Sequence, residues 1–283
     1  MRIDLHTHST ESDGTQPPAE VVASAVAAGL DVLALTDHDS TRGWEAAREA
    51  ADAAGLGFLP GIEISCERAG RSIHLLGYLV DPQHPGLLAE LEKARSSRLT
   101  RMDRMVELMA VDGIPISIEE VRAQLAPGAT LGRPHLADAL VRAGVVPNRD
   151  AAFKDWLHNE GRYYVGHYAV DPVRGVRLVR ESGGVAVIAH PFTGTRGKVT
   201  DASVVLEMVA AGLHGLEVDH RDHDDAAREL ARSIVHDHDL IATGSSDYHG
   251  TGKLNRLGEN VTAPEQLERV ISLGRDGDYL PPR

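Results

Sequence analysis

The sequence predicts an α/β fold of barrel or other parallel-sheet type, with about seven core strands and a mostly helical insertion. Three observations support this. Short apolar runs alternate with helix-forming segments along most of the 283 residues, the rhythm of successive βα units. His, Asp and Glu recur at or near the ends of those runs, and in parallel-sheet folds the C-terminal ends of the strands carry the chemistry. The rhythm lapses between about His84 and Asp171, where helical patterns follow one another without a convincing strand.

The first run, Ile3-Asp4-Leu5, alternates as on a buried strand and leads into His6-Thr7-His8-Ser9. Side chains two apart in an extended segment share a side. His6 and His8 can therefore aim two imidazoles at one point, and Asp13 can return from the following loop as an oxygen ligand. Pro17-Pro18-Ala19-Glu20 opens a helix that Gly29 stops. Val32 to Thr36 is a strand ending in Asp37-His38-Asp39, and Trp44 to Ala54 is a helix stopped by Gly55. Phe58 to Ser65 is a strand with an irregularity at Pro60-Gly61 and with Glu63 between two isoleucines. Ile73 to Tyr78, carrying His74, is the next strand.

Within the insertion, Leu87 to Met109 reads as one long helix. Ser117-Ile118-Glu119-Glu120 resembles a capping box for a helix reaching about Leu125. Pro134 to Arg142 and Asp150 to Asn159 are further helical pieces. The βα rhythm then resumes. A helix from Val173 to Arg180 precedes the strand Val185 to Ala189, which ends in His190-Pro191. Val204 to Ala211 is helical, Gly215 to Asp219 a strand, Ala226 to Asp237 helical. Leu240 to Ser245 leads into Ser246-Asp247-Tyr248-His249, and Thr262-Ala263-Pro264-Glu265 caps a last helix. Residues 1–84 and 171–283 are thus expected to form the barrel, and residues 85–170 a helical cap.

Composition narrows the partners. The formal charge of -13, from 42 acidic and 29 basic residues, argues against a broad footprint on duplex nucleic acid, while leaving room for a phosphorylated substrate held locally. No apolar run reaches the roughly 18 residues of a membrane span, and the N-terminus does not read as a signal peptide. The single cysteine, Cys66, fits a reducing cytosol. The cytoplasm is the expected location.

The candidate ligands are His6, His8, Asp13, His38, Glu63, His74, His190, Asp247 and His249. Converging imidazoles and carboxylates need a shared partner to offset desolvation and repulsion, which points to metal. Nitrogen and oxygen donors without thiolates favour Mn, Fe or Zn. Nine ligands exceed the needs of one ion, so two or three divalent ions are expected, with Glu63 as a bridge. Clustered ions of this kind suit phosphoester hydrolysis: they acidify a bridging water and clamp phosphoryl oxygens.

The segments Asp4-Leu5-His6-Thr7-His8-Ser9, Thr36-Asp37-His38-Asp39, Gly61-Ile62-Glu63-Ile64, His74, Ala189-His190-Pro191 and Ser246-Asp247-Tyr248-His249 resemble the motif series of the PHP (polymerase and histidinol phosphatase) family across essentially the whole chain. The resemblance implies a distorted (β/α)7 barrel with a trinuclear site. One ion would take His6, His8, Glu63 and Asp247. A second would share Glu63 and add His74 and His190, and the third would take Asp13, His38 and His249. Gly132-Arg133-Pro134-His135 resembles the cap segment of stand-alone members that act on nucleoside 3',5'-bisphosphates and 5'-mononucleotides, with relatives that trim short single-stranded RNA.

By that resemblance Arg133 would clamp a phosphate, its planar fork suiting two oxygens, with a solvated helix-start arginine as the alternative. His135 is balanced between substrate contact and local packing. Asp37, next to His38, is expected to orient an imidazole. His220 or His223 could donate a proton to the leaving oxygen or contact a second phosphate, or belong to a charged surface turn. Arg196 and Lys198 could meet a distal phosphate or simply be solvated. The remaining histidines, His167 among them, carry no motif and are read as surface or packing residues. The expected reaction is hydrolysis of a nucleotide phosphomonoester by a metal-bridging hydroxide. The rivals are a histidinol phosphate phosphatase, a 5'-3' exoribonuclease on short RNA and a non-catalytic metal-binding module. A homodimer is only the background expectation.

Overall fold

Burial of the apolar runs assembles a seven-stranded sheet surrounded by helices. The computed structural model describes residues 1–126, 128–193, 200–275 and 277–283. In chain order the elements are β1 (Ile3–Asp4), α1 (Pro18–Ala27), β2 (Val32–Leu35), α2 (Trp44–Ala54), β3 (Gly57–Arg68), β4 (Arg71–Tyr78), α3 (Pro85–Val111), α4 (Ile118–Arg122), α5 (Arg133–Arg142) and α6 (Arg149–Asp155). They continue with α7 (Pro172–Glu181), β5 (Val185–Ala189), α8 (Ala202–Ala210), β6 (Gly215–Asp219), α9 (Asp225–Asp237), β7 (Ile241–Gly244) and α10 (Pro264–Leu273).

The strands pair in sequence order. The sheet nearly closes on itself: Thr7 bridges Tyr248 in parallel, and His8 N donates to Tyr248 O at 2.8 Å. Every residue of β2 and β5 is buried, as expected for strands covered on both faces. Ile3, Leu5, Val32, Leu59, Leu76, Val187 and Ile241 belong to one apolar cluster, whereas Ile62, Leu75 and Ile188 join Val176 and Val179 of α7 in another.

One feature of the predicted rhythm is corrected. β4 runs antiparallel to both β3 and β5, because Ala69 and Gly70, both at positive φ, make a two-residue hairpin turn, so the sheet is not parallel throughout. His74 therefore lies in the first half of its strand, opposite Ser65 and Ala189, and not at a C-terminal end. Thr262 does not cap α10 either. The N-cap is Ala263, without a side-chain bond, and Thr262 Oγ1 instead donates to Gly244 O and accepts from Gly244 N. The capping box at Ser117 and Glu120 is present.

Helices α3 to α6 share their own core, in which Met102, Met105 and Met109 pack with Leu136, Leu140 and Leu157. They rest on the loops that follow β1 and β2. Thr130 N donates to Glu11 O at 2.9 Å, and Arg98 donates to Asp39 Oδ2 at 3.1 Å and Ser65 Oγ at 2.5 Å. Among the described residues no helix is long and apolar enough to cross a membrane.

Candidate metal centre

The site begins with the way β1 ends. Thr7 N donates to Thr36 Oγ1 and Thr7 Oγ1 donates to Ala34 O, which pins the strand so that His6 and His8 face the same buried point. Asp13 returns through a turn in which Ser12 N and Gly14 N donate to Ser9 O. His38 forms a bridge with Glu63 of the neighbouring strand. His190 and Asp247 follow β5 and β7 with φ of 29° and 54°, strained backbone of a kind that clusters at functional sites.

Glu63 is the hub. Its Oε2 lies 3.2 Å from His6 Nε2, 3.0 Å from His8 Nε2 and 3.1 Å from His38 Nδ1. Its Oε1 lies 2.7 Å from His74 Nδ1 and 3.5 Å from His190 Nε2. Asp247 Oδ1 stands 3.5 Å from His6 and 3.4 Å from His8, and Asp13 Oδ1 is 3.1 Å from His249 Nε2. An ion about 2.1 Å from each ligand sets its ligands roughly 3–3.4 Å apart, so the spacing fits. All nine expected residues converge. Their grouping is not that of the expected sites: His74 clusters with Glu63 and His38, His190 with Glu63 and His6, and His8 with Asp13, His38 and His249 as well as with His6 and Asp247.

The donor atoms are also chemically prepared. Asp13 Oδ1, His38 Nδ1, both oxygens of Glu63, His74 Nδ1 and His249 Nε2 are buried without a hydrogen-bond partner; buried polar atoms are otherwise nearly always satisfied. Three imidazoles have their remote nitrogen occupied. His6 Nδ1 faces Glu217 Oε1 at 3.2 Å, and His249 Nδ1 donates to Asp247 O at 2.8 Å. His8 Nδ1 lies 3.4 Å from Ser12 Oγ, which donates to Asp37 Oδ1 at 2.6 Å. Each arrangement turns the Nε2 lone pair toward the centre, as metal-ligating histidines require. Burial favours a neutral Glu63, but the imidazoles of His38, His74 and His6 hold its carboxyl well below the usual range. The residues thus fit divalent cations.

Other predicted residues take different places. Asp37 accepts from Ser9 N, Ser9 Oγ and Ser12 Oγ, and the imidazole it reaches, through Ser12, is that of His8. His223 is buried, donates from Nδ1 to Val218 O and accepts at Nε2 from Phe192 N. Both ring nitrogens are consumed by backbone, which leaves none for substrate. His135 Nδ1 accepts from Gly132 N at the start of α5. Arg133 Nη1 donates to Leu157 O and Asn159 Oδ1, so the insertion holds part of its fork. Arg196 and Lys198 lie outside the described residues.

His220 is fully buried. Its Nδ1 accepts from Asp222 N at 3.1 Å, so the proton of the neutral ring sits on Nε2. That atom has no hydrogen-bond partner and lies 3.7 Å from Asp247 Oδ2. Sequence reasoning missed Glu217, although a lone carboxylate between Leu216 and Val218 on an apolar strand is the same signal that singles out Glu63. It also missed Lys253, whose Nζ lies 2.8 Å from Asp247 Oδ2.

Comparison with known proteins agrees with this geometry. A family model described as the PHP domain matches residues 4–108. A 3',5'-nucleoside bisphosphate phosphatase of Chromobacterium violaceum is 34% identical over 256 residues, 90% of this chain and 89% of that protein. A 5'-3' exoribonuclease of Haemophilus influenzae is 32% identical, over 92% of this chain and 94% of its own. A solved structure from Bifidobacterium adolescentis, classed as a metal-dependent phosphoesterase, superposes with a TM-score of 0.94 at 38% identity and covers 97% of both chains.

Proposed function

We propose, from the premise that this chain belongs to the PHP domain family and is a metal-dependent phosphoesterase, that it releases phosphate from a small nucleotide, a nucleoside 3',5'-bisphosphate or 5'-mononucleotide. The observation that carries this is the convergence of nine nitrogen- and oxygen-donor side chains in one cluster, with five imidazoles within 3.5 Å of the Glu63 carboxylate, taken together with the nucleotide phosphatase among the relatives. Two or three divalent ions, held by His6, His8, Asp13, His38, Glu63, His74, His190, Asp247 and His249, would supply an activated water and neutralise charge on the phosphoryl oxygens. Residues 85–170 act as a cap domain on a barrel of residues 1–84 and 171–283.

The chain's own groups do the rest. Glu217, Ser12 and Asp37 fix the tautomers of His6 and His8. His220, with its proton on Nε2, is placed to protonate the departing ester oxygen. The free edge of Arg133 offers guanidinium donors to a phosphate. The formal charge of -13 argues against a long binding track and favours a small substrate; the exoribonuclease likeness supports short 5'-phosphorylated RNA as the second reading. The deciding experiment is phosphate release by manganese-loaded protein from adenosine 3',5'-bisphosphate, 5'-AMP, histidinol phosphate and a short 5'-phosphorylated RNA, with metal content measured on the same samples. Preference for either nucleotide supports the proposal. Nucleotide release from RNA in preference to all three small substrates replaces it with the second reading. Bound metal without release from any of the four overturns it.

A further inference from the structure

The two oxygens of Asp247 face different company. Oδ1 lies 3.5 Å from His6 Nε2, 3.4 Å from His8 Nε2 and 3.5 Å from His249 Nδ1, among the other candidate ligands. Oδ2 meets two donors instead, the Lys253 ammonium at 2.8 Å and Nε2 of His220 at 3.7 Å. Asp247 and His220 are buried, whereas Lys253 reaches in from a partly exposed position. The loop that carries Lys253 is pinned on both sides of it. Thr251 N donates to Thr15 Oγ1 at 2.9 Å, and Asn255 Nδ2 donates to Ser246 O at 2.6 Å. A lysine stem is flexible, but one rooted between two such anchors delivers its charge to one place.

An ammonium against a metal ligand works against metal binding, because it repels any cation that the same carboxylate holds. If gripping metal were the sole demand on Asp247, a neutral residue at position 253 would serve better. The geometry identifies a different role. A buried carboxylate oxygen takes a hydrogen bond from whatever donor is in reach, and the Nε2–H of His220 is in reach and has no hydrogen-bond partner among the described residues. A sub-ångström closure would make that contact a hydrogen bond of ordinary length. We propose that Lys253 is a positioning residue: by occupying Oδ2 of Asp247 it prevents that oxygen from capturing the Nε2–H of His220, and so keeps this donor available to the ester oxygen of the substrate. Its bond to Oδ2 joins two charged groups and is stronger than one from a neutral imidazole, so the ammonium wins the competition. Oδ1 of Asp247 is left for the ions. This inference rests on the role given to His220 in the proposed reaction and adds the group that keeps it free to act.

The test is a double-mutant cycle in the metal-loaded full chain, Lys253→Met with His220→Ala. It is run on whichever of 5'-AMP, adenosine 3',5'-bisphosphate and histidinol phosphate is turned over fastest. Lys253→Met alone should lower kcat by ~10- to 100-fold with KM little changed, since a captured donor no longer contributes in the transition state. In the His220→Ala background the same substitution should cost less than ~3-fold, the non-additivity of one residue acting through another. A second readout needs no turnover. In competition with a chelator, Lys253→Met should bind manganese at least as tightly as wild type, because a repelling charge has been removed. Additive losses in the cycle, or an unchanged kcat in the single variant, overturn the inference. So does a ~10-fold loss of metal affinity, the mark of a residue that merely supports a ligand. Coupling that holds on histidinol phosphate, in a protein that spares both nucleotides, keeps the role of Lys253 and overturns the nucleotide reading. A wild-type kcat in His220→Ala removes that imidazole from the reaction, and the role of Lys253 with it.

Discussion

Nδ1 of His6 lies 3.2 Å from Oε1 of Glu217, and both side chains are completely buried. The same carboxylate accepts from His190 N at 2.8 Å and from Ser245 Oγ, so one residue of β6 fixes groups that follow β1, β5 and β7. Burial works against its ionisation, but His6, His220 and His190 hold its carboxyl well below the usual range. Glu217→Gln keeps the shape and removes the charge that sets the His6 tautomer. Metal affinity should fall by ~10- to 100-fold, the usual scale for a ligand's hydrogen-bond partner. Competition with a chelator measures this, and an unaltered affinity would show that His6 is oriented by packing alone.

His220 invites a test that separates proton transfer from metal binding. With Nδ1 accepting from Asp222 N, only Nε2 can hold the proton of the neutral ring. His220→Gln should lower kcat for a nucleotide by ~10²- to 10⁴-fold, the range of a general acid, while metal content stays at the wild-type level. The loss should shrink for p-nitrophenyl phosphate, whose leaving group departs without protonation. An equal loss on both substrates would assign His220 to support of Asp247, 3.7 Å away.

Much of this centre was legible in the sequence because its residues sit where apolar runs stop, and a run's end is a local feature. The pair His6 and His8, together with His38, His190 and Asp247, could be placed this way. His74 could not, since its arrival depends on β4 reversing through Ala69-Gly70, and a short turn does not by itself fix the direction of the strand that follows it. His220 and His223 look equivalent in a charged stretch. Only the backbone distinguishes them, by occupying both nitrogens of His223 and one of His220. Arg101 had no local signal at all. On a long helix rich in arginine, what sets it apart is that its buried Nε and Nη2 have no hydrogen-bond partner among the described residues, and that depends on how the helices of residues 85–170 and Tyr164 pack around it.

Metal removal should destabilise the fold. Without cations, Glu63 and Asp13 face imidazoles that are buried or half-buried, and several donor atoms have no partner among the described residues. A ligand present at a hundredfold excess over its Kd stabilises the native state by ~2.7 kcal/mol per site. Calorimetry with and without a chelator should therefore show a drop in Tm that manganese restores. A Tm indifferent to chelator and to added metal would mean that the cluster binds no ion under those conditions.

His167 predicts a pH dependence with a definite sign. Its imidazole has an ordinary value of 6.5 and is pushed down to about 3 in the folded chain by burial and by Arg98, Arg101 and Arg133. Between those two values the unfolded chain carries the proton and the folded chain does not. Stability therefore falls as pH is lowered through this window, by at most ~1.4 kcal/mol per pH unit for one proton, and the contribution levels off below about 3. The wild-type Tm measured from pH 7 to pH 4 contains this slope together with those of other groups, so the comparison is with His167→Gln. The variant should lose less stability over the same range, by up to one proton's worth of slope. Parallel curves would mean that His167 titrates alike in both states, and that the arginine cluster leaves it accessible to a proton.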